Sequence, residues 1–188
     1  MAKTLTQVEL TSRAEWRAWL AEHHTQTESI WAVTYKKGHP DYLPYEDFVR
    51  ELLCVGWIDG QAQKFDAERT MRLCAPRKRG SGWSAVNKGH IEGLIAAGLM
   101  RPAGLARIEE AKRTGDWALF EAADSLVVPD DLQAALGASP GAEATWATYP
   151  PSLRRDVLAK LALAKRPETR AKRVAETARC AAEGRRPG

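Results

Sequence analysis

The stretch that decides the fold is residues 56–76, which read GWIDGQAQKFDAERTMRLCAP. Residues 57–65 and 70–75 are predicted to form two β-strands, with a turn at residues 66–69 between them. A connection of this length is typical of a β-hairpin. Gly56, directly before the hairpin, can adopt the left-handed conformation in which many helices end, so a helix is predicted to stop there.

Helical patterns surround the hairpin. Ser12 and Glu15 form a capping box that starts one helix, and residues 29–37 are predicted to form a further strand. Apolar side chains at helical spacing follow Pro44 as far as Leu53. Further helices are predicted after Ser84, from Pro102 to Gly115, from Pro129 to Gly141, after Ser152 and after Pro167. The predicted fold class is α+β, with helices packed on a small antiparallel sheet or hairpin and an all-helical basic C-terminal part.

The chain is predicted to contain two parts. Residues 1–125 form an α+β core domain that carries the WIDG and SGWSxxN motifs, and residues 126–188 form a helical C-terminal region. The boundary rests on a connector rich in Pro, Gly and Ala within residues 125–145.

The composition is that of an ordinary globular protein, with 44% apolar and 28% charged residues, which excludes global disorder. No apolar run is long enough for a transmembrane helix, and the N-terminus lacks the apolar stretch of a secretory signal. Three cysteines without a CxxC pair indicate reduced thiols. These features predict a cytoplasmic protein. Four histidines without HxxxH spacing predict no metal site, and no cofactor is expected.

Basic residues are concentrated towards the C-terminal end. From Pro150 onward the chain has eleven Lys and Arg against four Asp and Glu, whereas the remainder has seventeen against twenty. Arg166, Arg170 and Arg173 fall on one face of a predicted helix and form a candidate surface for nucleic acid, anionic lipid or an acidic protein. A solvated helix face is the alternative interpretation.

The hairpin also supplies a candidate polar pocket. In a regular strand Trp57, Asp59 and Gln61 share one face, and Arg72 and Arg77 are placed to reach that side. An aspartate that faces arginines beside tryptophan resembles the wall of a ligand-binding pocket. A structural ion pair between the aspartate and an arginine is the alternative interpretation.

A second candidate feature surrounds the start of the helix predicted after Ser84. Arg77 and its basic neighbours precede the residues SGWS, and Asn87 follows in the first helical turn. Backbone N–H groups at a helix N-terminus attract anions, so a phosphate or carboxylate would fit there. The alternative is a capped helix with Trp83 as a core anchor. The candidate ligand-binding residues are Trp57, Asp59, Gln61, Arg77, Trp83, Ser84 and Asn87.

No catalytic signature stands out. The chain contains neither GxSxG nor a P-loop pattern, and no order of Ser, Asp and His indicates a nucleophile. Asp59 can serve as a general base with Arg77 as an anion clamp. An enzyme acting on an anionic small molecule is therefore an alternative to a binding protein.

Several motifs together resemble the YdeI/OmpD-associated family, namely GWIDG at 56–60, SxWSxxN at 81–87 and AKRxETR at 164–170. The resemblance extends over nearly the whole chain. It implies a link to bacteriocin protection and antimicrobial-peptide resistance, and it implies no catalytic residues. The leading hypothesis is a ligand- or partner-binding protein in stress resistance, with an enzyme and a nucleic-acid-binding tail as alternatives.

Overall fold

Residues 5–187 are described by the computed structural model, and they contain nine helices and four strands. The predicted α+β class is confirmed. The elements in chain order are β1 (Gln7–Leu10), α1 (Arg13–His23), β2 (Ile30–Tyr35), α2 (Tyr45–Cys54), β3 (Trp57–Lys64), β4 (Arg69–Pro76), α3 (Ala85–Ala96), α4 (Pro102–Thr114), α5 (Glu121–Asp124), α6 (Asp130–Gly137), α7 (Ala142–Thr148), α8 (Pro151–Ala162) and α9 (Pro167–Ala182). Within residues 5–187, every helix lacks the length or the apolar character that a membrane span requires.

The chain divides into two compact units. The first unit contains the residues up to 79 together with 86–114, and the second unit contains 80–85 together with the residues from 115 onward. All four strands lie in the first unit, and α5 to α9 lie in the second. The domain boundary at residue 125 stays a prediction.

The first unit is built on a four-stranded sheet in the order β1-β2-β4-β3. β3 and β4 form the predicted hairpin, and β2 pairs antiparallel with β4. β1 pairs parallel with β2, where Val8 lies opposite Ala32, so the sheet is mixed rather than wholly antiparallel. The sequence prediction missed β1, although Val8 and Leu10 alternate with the polar Gln7 and Glu9 as in a short strand.

The pairing of β3 with β4 contains an irregularity that changes which side chains share a face. Asp59 lies opposite Cys74 but Ala62 lies opposite Arg72, so β3 has one residue more than β4 over this interval. The alternation predicted to put Asp59 and Gln61 on one face therefore fails beyond Asp59. Ala62 shares the face of Arg72 instead.

Two tryptophans join α1 to α2 and to β3. Trp16 of α1 is fully buried, its Nε1 donates to the Phe48 carbonyl oxygen at 3.1 Å, and its ring stacks on Phe48 with 5.3 Å between centroids. Trp57 of β3 is also buried and donates from Nε1 to the His24 carbonyl oxygen at 2.9 Å. Each indole thus buries a large apolar surface while its single N–H group finds an acceptor.

Ser12 begins α1 as predicted. Its hydroxyl oxygen accepts a hydrogen bond from the Glu15 backbone N–H at 3.2 Å. The Glu15 carboxylate accepts from the backbone N–H and the hydroxyl of Thr11, both at 2.8 Å, and the Ser12 backbone N–H adds to the interactions that lower the Glu15 pKa. Side-chain hydrogen bonds of both Ser12 and Glu15 therefore fix the start of α1.

Two glycines allow the start of α4 to lie against the end of α2. Gly56 follows α2 with a φ of +76°, which confirms the predicted left-handed stop. Gly104 of α4 is buried, and a Cβ built on it would lie 2.3 Å from the Cys54 carbonyl oxygen. The Arg101 backbone N–H donates to that same oxygen at 2.9 Å. The approach of the two helices is therefore a backbone-to-backbone contact that only glycine permits.

The second unit has an apolar core of its own. Side chains from α5 to α9 pack together, among them the fully or nearly fully buried Leu132, Leu136, Trp146 and Leu158. Residues 115–149 contain six acidic and no basic residues, so the unit carries eleven basic against ten acidic residues. The acidic segment therefore offsets most of the basic charge that follows it in the chain.

Candidate ligand-binding site

Asp59 lies at the centre of a polar cluster in the first unit. Its Oδ2 accepts a hydrogen bond from the Tyr45 hydroxyl at 2.8 Å and from Arg72 Nη1 at 3.3 Å. The Arg72 guanidinium also lies over the Tyr45 ring, 4.6 Å from its centroid. These three residues, named the Asp59 cluster, each contact the other two.

The cluster forms because α2, β3 and β4 meet on one face of the sheet. Tyr45 is the first residue of α2, so its side chain leaves the helix where the chain approaches the strands. Asp59 and Arg72 flank the irregular part of the β3–β4 pairing. Arg72 Nη1 therefore also reaches the Gly60 carbonyl oxygen, at 3.4 Å.

The environment of the Tyr45 hydroxyl disfavours its ionisation. Burial raises the pKa of Tyr45 to about 12, and the negative charge and hydrogen bond of Asp59 add to this shift. The phenol is therefore a hydrogen-bond donor at neutral pH. The Tyr45 residue as a whole is 49% exposed, so a ligand can reach its ring.

We expect Asp59→Asn to lower the pKa of Tyr45, because the substitution removes the charge that disfavours the phenolate. Burial of the hydroxyl is unchanged, so the pKa stays above that of an ordinary tyrosine. An NMR titration of the Tyr45 ring carbons measures the shift. Glu46→Gln removes an exposed carboxylate from the same helical turn and should leave the titration unchanged. An equal Tyr45 pKa in wild type and Asp59→Asn would contradict the role assigned to Asp59.

A pocket of about 240 Å³, named the Tyr45 pocket, opens beside the Asp59 cluster. Its lining includes three tyrosines and three cations, namely Tyr35, Tyr42, Tyr45, Lys36, Lys37 and Arg72. Within the part of the chain that the structure describes, no carboxylate lines this pocket. The walls are therefore aromatic and positively charged, which suits an anion that carries a ring.

The cations of the Tyr45 pocket are held in different ways. Lys36 Nζ donates to two carbonyl oxygens of the β3–β4 turn at 3.0 and 2.7 Å. Arg72 is oriented by Asp59 through Nη1 alone. Lys37 is exposed, and its side chain makes no hydrogen bond or ion pair with residues 5–187. Arg72 and Lys37 therefore have N–H groups that can donate to a ligand.

The Asp59 carboxylate holds Tyr45 and Arg72 in their orientations. Asp59 Oδ2 already accepts two hydrogen bonds, so the carboxylate serves to orient its two neighbours. Cys74, opposite Asp59, is fully buried, and that burial raises its thiol pKa far above the ordinary range. Among the residues described, no group of three or more His, Cys, Asp or Glu side chains could hold a metal ion.

The residues predicted to form the site lie in different surroundings. Asp59 contacts Arg72, whereas Trp57 packs in the core and Gln61 is exposed on β3. Arg77 follows β4 and is 3% exposed. Burial lowers the pKa of Arg77 to about 10, although the charge of Asp59 opposes the shift, so the guanidinium stays charged at neutral pH.

The other three predicted residues flank the start of α3. Asn87 is half-buried on α3 in the first unit. Trp83 and Ser84 belong to the second unit, where Trp83 is buried with its ring centroid 5.3 Å from that of Trp117. A single site formed by all seven residues stays a prediction.

Sequence analysis missed Tyr45 as a site residue. Helical spacing assigns it to the same apolar face as Phe48 and Leu52, which are indeed buried. Periodicity does not reveal that the first turn of α2 lies beside polar strand residues. The Tyr45 hydroxyl was the signal in the sequence that could have revealed the site. A tyrosine hydroxyl that is shielded from water requires a hydrogen-bond partner.

Two family models match the chain. Residues 8–107 match a family described as Domain of unknown function (DUF8412). The chain belongs to this family. Residues 125–184 match a second family, described as Bacteriocin-protection, YdeI or OmpD-Associated. No curated protein and no solved structure matches the chain.

The second match confirms the predicted family resemblance for the C-terminal part, which contains the AKRxETR motif. The GWIDG and SxWSxxN motifs lie instead within residues 8–107, as do the Asp59 cluster and the Tyr45 pocket. The candidate site therefore belongs to the part of the chain that the family of unknown function covers.

The three arginines predicted as a basic surface lie within the second match. Arg170 forms a two-pronged ion pair with Asp131, from Nε at 2.6 Å and Nη2 at 2.9 Å. Arg173 Nη1 donates to the Lys160 carbonyl oxygen, and Arg166 is exposed directly before α9. Two of the three guanidinium groups are therefore engaged in contacts between helices.

Proposed function

We propose that the chain is a binding protein whose first unit holds a small aromatic carboxylate in the Tyr45 pocket. The observation that carries the proposal is the Asp59 cluster, in which one carboxylate orients both an aromatic ring and a guanidinium beside an open pocket. Preset orientation lowers the entropy lost when a ligand binds.

Arg72 is the proposed anchor for the ligand carboxylate. Only its Nη1 donates to protein acceptors, and Nε and Nη2 make no hydrogen bond with the described part of the chain. That free edge has the geometry for a two-pronged bond to a carboxylate, which is among the stronger hydrogen-bonding arrangements in proteins. Lys37 adds a second positive charge at the pocket.

The aromatic walls supply the second half of the recognition. Tyr35, Tyr42 and Tyr45 present ring surfaces to the pocket, and a ligand ring gains apolar contact and favourable ring geometry against them. The positive charge of the lining disfavours amines and other cations. The pocket therefore selects for a ring and a negative charge in the same molecule.

We further propose that this binding serves a protective role in the cytoplasm. The description of the family that matches residues 125–184 names bacteriocin protection. All three cysteines, Cys54, Cys74 and Cys180, are buried thiols outside any disulfide, as expected in a reducing compartment. In this proposal, ligand binding by the first unit accompanies a protective activity in which the second unit takes part.

The test compares benzoate with benzamide, its uncharged analogue. We expect benzoate to bind with a Kd on the order of 1 mM, as is usual for so small a ligand. Arg72→Met should weaken benzoate binding by about tenfold or more, because a charge-assisted hydrogen bond is lost. Calorimetric or NMR titration of wild type and variant measures the difference.

Arg113→Met is the matched control, because Arg113 is exposed on α4 and makes no hydrogen bond or ion pair in the described structure. It should bind benzoate as the wild type does. Equal affinity for benzoate and benzamide, or wild-type affinity in Arg72→Met, would remove Arg72 from the proposed site.

A further inference from the structure

A second cavity lies in the first unit, apart from the Tyr45 pocket. It has a volume of about 320 Å³ and is formed by α1, α2 and the connection from α3 to α4. Its polar lining is Arg17, Glu51, Cys54 and Arg101. This volume is in the range of cavities that hold small molecules. The cavity is named the Arg101 cavity, and none of its lining residues lines the Tyr45 pocket.

The buried carboxylate of Glu51 lines the Arg101 cavity. It is 2% exposed and accepts from Arg13 Nε at 2.6 Å and from Arg17 Nη2 and Nε at 2.7 and 2.9 Å. Burial raises the pKa of Glu51, but the hydrogen bonds from Arg17 and Arg13 outweigh it and leave the pKa below the ordinary value. Glu51 is therefore ionised, and both of its oxygens are already occupied.

The Glu51 carboxylate orients Arg17. Its Nε and Nη2 are both used on Glu51, which leaves Nη1 without a hydrogen bond to residues 5–187. A buried carboxylate that fixes an arginine in this way prepares the remaining N–H groups for a second anion. The orientation of Arg17 is thus set before any ligand arrives.

Arg101 also lines the cavity and lies directly before α4. Its backbone N–H is bound to the Cys54 carbonyl oxygen, so its main chain is fixed over the end of α2. Its side chain is exposed and makes no hydrogen bond or ion pair with the described residues. The cavity therefore combines one fixed guanidinium with one that is free to close on a ligand.

The remaining walls are apolar. Leu20, Val55, Leu99 and Met100 line the cavity together with Ala21 and Pro102. Cys54 also lines it, but burial raises the pKa of its thiol to about 11, so the thiol is not a nucleophile at neutral pH. Cys54 therefore offers no covalent attachment point at neutral pH.

We infer that the Arg101 cavity binds a short aliphatic carboxylate, with the carboxylate between Arg17 and Arg101 and the carbon chain against Leu20, Val55 and Met100. The charge of Glu51 is neutralised by the two arginines bound to it, so it does not repel the ligand. The site is independent of the Tyr45 pocket in its residues and in the shape of ligand it takes.

The test uses hexanoate and its uncharged analogue 1-hexanol, followed by NMR of the backbone amides of the isotope-labelled chain. Hexanoate should shift the amides of Gly98, Leu99 and Arg101, and hexanol should bind at least about tenfold more weakly. Arg101→Met should weaken hexanoate binding by a similar factor without changing the fold, because the Arg101 side chain holds nothing in place.

Two variants separate this inference from the proposal for the Tyr45 pocket. Arg72→Met and Arg113→Met should both bind hexanoate as the wild type does. Wild-type affinity for hexanoate in Arg101→Met, equal affinity for hexanol, or no shift at Leu99 up to the solubility limit would each overturn the inference. Failure of benzoate to bind would leave this result unaffected.

Discussion

Glu51→Ala should lower the free energy of unfolding by about 3 kcal/mol, because removing the buried carboxylate leaves Arg17 without an acceptor and Arg13 with Asp47 alone. Glu51 connects α2 to α1 by accepting from Arg13 and Arg17. The Arg13 and Arg17 side chains are 35% and 45% exposed, so water can solvate them after the change. That solvation places the expected loss near the lower end of the range for buried pairs.

Urea denaturation measures this loss, with Glu92→Ala as the matched control. Glu92 is an exposed helical glutamate without a hydrogen bond or ion pair to the described residues, so its substitution should change stability by less than about 0.5 kcal/mol. Similar losses in the two variants would show that the network around Glu51 does not stabilise the first unit.

The contribution of Glu51 should also depend on pH. Its pKa is lower in the folded chain than in the unfolded chain, so its stabilising effect is present at neutral pH. The effect is lost as the pH falls below the ordinary glutamate value of 4.5 and through the folded pKa. The stability difference between wild type and Glu51→Gln should therefore shrink in acid. A difference that stays constant from pH 7 to pH 3 would contradict this assignment.

Gly104→Ala should destabilise the chain by about 2 kcal/mol or more, the second large effect expected. The added Cβ would lie 2.3 Å from the Cys54 carbonyl oxygen and 2.9 Å from the Met100 methyl group. The methyl group can move, but the carbonyl oxygen belongs to the backbone at the end of α2. The cost of separating α4 from α2 exceeds the gain of about 1 kcal/mol that alanine brings to a helix.

Gly93→Ala is the matched control for this substitution. Gly93 also lies inside a helix, and a Cβ built on it meets nothing within 4 Å. Alanine there should stabilise the chain by up to about 1 kcal/mol. Thermal unfolding of both variants distinguishes the two environments, since the two changes should have opposite signs. A stabilised Gly104→Ala variant would show that α2 and α4 are farther apart than the structure indicates.

Local patterns in the sequence predicted the hairpin, the end of α2 at Gly56 and the start of α1 at Ser12. Each of these depends on neighbouring residues alone, such as the left-handed φ at Gly56. β1 was missed because it has only four residues and is held by parallel pairing with β2, about twenty positions further along the chain. Short strands that depend on a distant partner carry little signal of their own.

The candidate site was predictable only in part. The contact between Asp59 and an arginine follows from strand pairing, and Arg72 makes it. The irregular pairing between Asp59 and Ala62 removed Gln61 from the shared face, and no residue pattern marks such a shift. The ion pair between Arg170 and Asp131 was also not predictable from the sequence. It depends on how α6 and α9 pack together.

An aromatic carboxylate in the Tyr45 pocket would lie against Arg72 and the tyrosine rings. The most direct measurement is a search for intermolecular nuclear Overhauser effects between benzoate and the labelled chain. We expect contacts from the benzoate ring protons to the rings of Tyr42 and Tyr45, together with a shift of the Arg72 side-chain resonances. Contacts confined to other parts of the chain, or saturation with benzoate without any effect on Tyr45 and Arg72, would contradict it.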